Sequence, residues 1–113
     1  MQQFPEAYFD WLYIDTDHSF ATTARELEIA MHKVKPSGRI MGHDFCIGNV
    51  VTPVVYGVVQ ACNKFCVDHG WRYEYLTLES HGHFSFSLKR ILQLSPNLVT
   101  WRSLVPLNAR FEW

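Results

Sequence analysis

Two short polar clusters carry the side chains with which this chain could do chemistry: Asp15-Thr16-Asp17-His18 and His43-Asp44. Carboxylates and imidazoles are the groups that hold divalent cations, and an imidazole can also take or give a proton near neutral pH. The same residue types have a plainer use. Asp and His at strand ends often only satisfy backbone groups, so Asp15 and Asp17 could cap a helix and His43-Asp44 could shape a turn. A third pair, His81 and His83 around Gly82, reads as a solvated hairpin tip, because no third ligand lies near it in sequence.

The elements around the clusters decide whether they meet. Phe9 to Ile14 (FDWLYI) is a run of aromatic and apolar residues closed by Asp15, the pattern of a buried strand. Ser19 is placed to cap a helix, and Thr23 with Glu26 offers a second capping pair a turn later. Ala24, Leu27, Ala30, Met31 and Val34 then form one apolar stripe, ended by Pro36-Ser37-Gly38. Arg39 to Gly42 starts a second strand, with His43-Asp44-Phe45 at its end. After a connecting segment over 48–53, a second helix is expected from Val54, with Val58, Cys62, Phe65 and Cys66 on one side and Gly70 as its cap. Tyr73 to Leu78 and Phe84 to Leu88 read as two strands of a hairpin. Residues 92–113 show no pattern.

The order strand-helix-strand-helix-strand-strand predicts an α/β fold. Its first strands should be parallel, joined by a right-handed crossover, with an antiparallel hairpin at the C-terminal end. In open α/β sheets ligands bind beyond the carboxyl ends of the parallel strands. Both polar clusters fall at such ends and should therefore converge on one edge of the sheet.

Composition narrows the classes. The chain has 113 residues, 48% of them apolar and 15% aromatic, enough for one core. Ten Lys and Arg against eleven Asp and Glu leave a charge of -1, with no basic stripe for nucleic acid. No apolar run is long enough to span a bilayer, and the first residues do not resemble a secretion signal. Cys46, Cys62 and Cys66 form no zinc-type pair of pairs and read as core packing in a reducing, cytoplasmic compartment. No dinucleotide-type glycine fingerprint supports a dehydrogenase.

The ordered elements and their residues resemble the class I S-adenosylmethionine-dependent methyltransferases, from the fourth strand to the seventh, over roughly residues 8–91. Tyr13-Ile14-Asp15-Thr16-Asp17-His18-Ser19-Phe20 is similar to the "IDGDHSY" signature of one branch. Pro36-Ser37-Gly38-Arg39-Ile40-Met41-Gly42-His43-Asp44-Phe45 is similar to its "PGGxIxGHDY" signature. Gly57-Val58-Val59-Gln60-Ala61 with Phe65 resembles the "GVxxAVxxF" helix that follows.

The resemblance implies a partial Rossmann-like methyltransferase sheet in residues 1–91 and a C-terminal extension in 92–113. It implies S-adenosylmethionine as cofactor, touched by Asp15 and Thr16, and a small-molecule methyl acceptor. In the cation-dependent O-methyltransferases a metal-binding Asp follows the fourth strand, an acidic or amide pair follows the fifth, and the base lies three residues past the first Asp. By position these become Asp15, then His43 and Asp44, around a divalent cation, with His18 as the catalytic base. His among the ligands favours Mn²⁺ or Zn²⁺ over Mg²⁺.

The family's glycine-rich loop and ribose-binding acid have no counterpart in this sequence, so the chain reads as the C-terminal half of such a domain. Its activity would then need the other half or a partner. Without the family's first strand, residues 8–14 should form an apolar edge, covered most simply by a second copy in a homodimer, or else by the tail from Leu92 onward. The alternative is a non-enzymatic α/β module kept for binding or oligomerisation.

Overall fold

The computed structural model describes residues 1–49 and 54–92. Strand β1 is Phe9–Ile14, helix α1 Phe20–Lys33, strand β2 Val34–Phe45, β3 Gly48–Asn49, β4 Val54–Val55, helix α2 Val58–His69, β5 Trp71–Leu76 and β6 Phe84–Arg90. The main sheet has the order β1-β2-β6-β5. β1 and β2 are parallel, and β6 runs antiparallel to both β2 and β5. The expected α/β fold and hairpin are therefore present. The second hairpin strand does not stay outside its partner; it inserts between β2 and β5.

Helix α1 starts where Ser19 accepts a hydrogen bond from the Thr22 amide, at 3.2 Å. The Thr23–Glu26 pair is not the cap: Thr23 is buried, and Glu26 receives the Thr16 hydroxyl instead. The stripe is buried at Leu27 and Ala30, with Ala24 and Met31 partly buried against the core. Val34 is buried too, but as the first residue of β2. Between the pairs Phe9–Val34 and Trp11–Arg39 the register shifts, so Pro36-Ser37-Gly38 is accommodated as a bulge between the two strands. Arg90 closes this end by donating to the Met31, Lys35 and Pro36 carbonyls while its guanidinium lies 4.5 Å over the Trp71 ring.

Helix α2 begins at Val58, not at Val54. Val54–Val55 is drawn into a short antiparallel pair with Gly48–Asn49, and the helix cannot include residues whose backbone is extended. Gly70 ends it in the left-handed conformation, φ 71°, as expected. The chain then turns at once into β5 at Trp71, two residues earlier than the alternation suggested, because Trp71 is itself a core residue.

α1 and α2 pack on each other and on the sheet. Along β2 the residues Gly38, Ile40, Gly42 and Asp44 are buried, alternating with less buried neighbours. Leu27, Ile40 and Leu88 are completely buried, each removal from water stabilising the fold by roughly 1.5–3 kcal/mol. β1 departs from the buried-strand reading and follows the expectation of an apolar edge. It lies at the sheet edge with Trp11 and Tyr13 exposed, and only Ile14 is fully in the core. Hydrophobicity alone does not distinguish a central strand from an edge strand.

Candidate active site

β1 and β2 are parallel neighbours in register at Ile14–Gly42, so the residues that follow each strand come together. Among the described residues, ligand atoms of Asp15, His43 and Asp44 all lie within 4.8 Å of one another. These are the three positions expected to hold a cation. The set of two carboxylates and one imidazole suits a divalent first-row metal in chemical type.

Asp44 is the centre of the cluster. Its side chain is only 9% exposed, and three imidazoles surround it. Nε2 of His18 lies 2.7 Å from Oδ2, Nδ1 of His43 lies 3.3 Å from the same oxygen, and Nδ1 of His83 lies 2.7 Å from Oδ1. Burial pushes the Asp44 carboxyl upward. The His83 hydrogen bond, the charge of His18 and the His43 contact outweigh it, so the group stays below the usual carboxylate range. A carboxylate oxygen only accepts, so the two 2.7 Å contacts call for a hydrogen on His18 Nε2 and on His83 Nδ1.

His18 stands where the base was expected. Asp15 is 3.8 Å from its Nε2, and the Tyr56 ring lies 4.6 Å away between centroids. Its carbonyl accepts from the Gly57 amide at 2.8 Å, which ties the start of α2 to the loop after β1. A Cβ on Gly57 would fall 2.4–2.5 Å from Phe20 atoms, so only glycine permits that approach. His18 and Asp44 both have positive φ, 64° and 57°. Non-glycine residues seldom occupy this region, and where they do the surroundings hold them there.

Two neighbours are structural. Asp17 accepts from the Ser19 amide at 3.0 Å, the Ser19 hydroxyl at 2.8 Å and the Thr22 hydroxyl at 2.9 Å. The amide bond first, then the hydroxyls, lower its carboxyl below the ordinary value. Asp17 thus braces the first turn of α1, as the plainer reading allowed. Thr16 lies beside Asp15, but its hydroxyl donates to Glu26 at 2.8 Å.

The cavity at these strand ends, lined by Asp15, Thr16, His18 and His43 among others, measures about 10 Å³. That admits about one water. A larger cavity, about 480 Å³, lies at the opposite end of β2 beside Pro36, Arg39, Arg72 and Arg90, and contains none of the site residues.

His83 and Tyr56 were not expected in the site. The pairing of Phe84 with Phe45 brings the hairpin tip alongside the end of β2, and His83 thereby reaches Asp44. The His-Gly-His sequence was a signal, but its third partner came from β2 and not from nearby sequence. No sequence feature marked Tyr56.

A family model described as a methyltransferase domain matches residues 1–45. No curated protein matches the chain in sequence. Among solved structures, the chain is similar to "a putative type 11 methyltransferase from Sulfolobus solfataricus", with TM-score 0.64 and 14% identity over 82% of this chain and 56% of that one. It also aligns with "a putative O-methyltransferase from Klebsiella pneumoniae", with TM-score 0.48 and 18% identity over 74% of this chain and 41% of that one. The chain thus spans little more than half the length of the first of these structures. Its first 45 residues match the model of a methyltransferase domain, and its fold is similar to just over half of the first of these structures.

Proposed function

We propose that this chain supplies the acceptor end of an O-methyltransferase site, acting on a hydroxyl of a small molecule. The observation that carries this reading is the 2.7 Å contact between His18 Nε2 and the buried Asp44 carboxylate. A base held by a carboxylate is the arrangement that proton removal from a nucleophile needs. Nε2–H donates to Asp44, so in the neutral ring Nδ1 keeps its lone pair and is the atom that would take the hydroxyl proton. The His18 side chain is 30% exposed, which leaves it reachable. S-adenosylmethionine supplies the electrophilic methyl group when bound.

Asp15, His43 and Asp44 are the residues that would hold a divalent cation. Such a cation lowers the pKa of a bound hydroxyl and orients it. The imidazole in the set favours Mn²⁺ or Zn²⁺ over Mg²⁺. By the family resemblance, Asp15 and Thr16 would touch the cofactor.

The test pairs binding with turnover. Mn²⁺, Zn²⁺ and Mg²⁺ are titrated calorimetrically, and S-adenosylhomocysteine formation is followed with a panel of phenols, catechols and sugars. His18→Gln should lower turnover by roughly 10²–10⁴-fold with little change in metal affinity. Asp15→Asn should weaken the metal. A chain that binds no metal at millimolar concentration and turns over no acceptor even with a cofactor-binding half supplied would be a non-enzymatic binding or oligomerisation module instead.

A further inference from the structure

The hairpin between β5 and β6 places one more residue in the site. We propose that His83 is a positioning residue that holds Asp44 through Oδ1 and so presents Oδ2 to His18 and to any cation; this rests on the functional reading above. Asp44 sits in a left-handed backbone conformation near the end of β2, where the pairing with β6 shifts register between Gly42 and Phe45. Two hydrogen bonds at 2.7 Å, one on each oxygen, fix its carboxylate: His18 on Oδ2 and His83 on Oδ1. Removing His83 would take this hydrogen bond from Oδ1 and leave the carboxylate held through Oδ2, by His18 and the His43 contact.

His83 is itself held on several sides. Its ring is 18° from parallel with His43 and meets Tyr56 edge-on at 6.0 Å. The Cys46 thiol lies 3.8 Å from its Nδ1. Its backbone amide donates to His81 Nδ1 at 3.1 Å, and Gly82, at φ 80°, makes the turn between them. Below the tip, Ser85 donates its amide to the Thr77 hydroxyl at 2.8 Å and its hydroxyl to Glu79 at 3.2 Å, while Thr77 also donates to Glu79. The tip is therefore braced before anything binds, as a group that orients another must be. The pattern is that of an outer imidazole supporting a ligand carboxylate, with Nδ1–H committed to Asp44 and Nε2 left as acceptor.

Long-range ¹H–¹⁵N spectra of the imidazoles test this on the whole chain without metal. His83 should show a protonated Nδ1, a pattern that Asp44→Gly, which removes the acceptor, abolishes. Mn²⁺ titration forms the second arm. His83→Leu should weaken binding by roughly 10–100-fold, and His83→Asn, which keeps a side-chain N–H donor, should restore most of it. A His83 protonated on Nε2 and indifferent to Asp44→Gly overturns the proposal, and so does wild-type Mn²⁺ affinity in a folded His83→Leu chain. If the unaltered chain binds no Mn²⁺, the metal reading fails, and the imidazole spectrum alone decides the role of His83.

Discussion

Nε2 of His18 donates to Oδ2 of Asp44 across the ends of two parallel strands, and both residues hold positive φ to do so. The contact joins the loop after β1 to the last turn of β2. It is long-range in sequence and short in space because β1 and β2 are neighbours in register.

That backbone conformation can be tested directly. Replacing His18 by Ala or by Gly removes the same hydrogen bond, but only Gly accepts φ 64° without a Cβ penalty. His18→Gly should be more stable than His18→Ala by about 1 kcal/mol in urea unfolding. Equal stabilities would show that no strain is held there.

Acid should weaken the fold partly through Glu74. Arg39 donates to it from Nε at 2.6 Å and from Nη2 at 3.0 Å. That hydrogen bond lowers the Glu74 carboxyl below its ordinary value of 4.5. A carboxyl lowered by folding contributes stability that is present above the unfolded value and is lost as pH falls through the folded one. The melting temperature should therefore drop on acidification below about pH 4.5, and Glu74→Gln should make that drop shallower. Asp44 acts in the same direction, so the slope should shrink without vanishing. An unchanged slope in Glu74→Gln would remove the Arg39 pair from the account.

Gly42 lets β1, β2 and Phe86 approach beside the site. A Cβ there would sit 2.5 Å from the Phe86 ring and 2.8 Å from the Ile14 carbonyl oxygen, and the latter is backbone that cannot swing aside. Gly42→Ala should destabilise the chain by about 1–3 kcal/mol, measured by urea unfolding. It should also weaken Mn²⁺ binding, because Asp44 lies two positions along the same strand.

The outer edge of β1 is where we expect a second copy to add. Trp11 is 59% exposed on this strand, and within the described sheet β1 has a partner on one side only. Sedimentation equilibrium at tens of micromolar should show a dimer, and Trp11→Lys should shift it to monomer, since charge on an edge strand opposes pairing. A monomeric unaltered chain would rule this pairing out.

Local sequence determined the elements whose signals are local. The FDWLYI run, the Ser19 cap, the Leu27–Ala30 stripe and Gly70 each mark their own conformation, because capping, periodicity and left-handed glycine act within a few residues. It also placed Asp15, His18, His43 and Asp44 on one edge, since parallel strands bring their carboxyl ends together. Tertiary structure decided the remainder. β6 slipped between β2 and β5, and Val54–Val55 joined a bridge instead of a helix. Each of these depends on which strand pairs with which. The same pairing carried His83 to Asp44, and with it the third imidazole on that carboxylate, a relation that no spacing between neighbouring residues could encode.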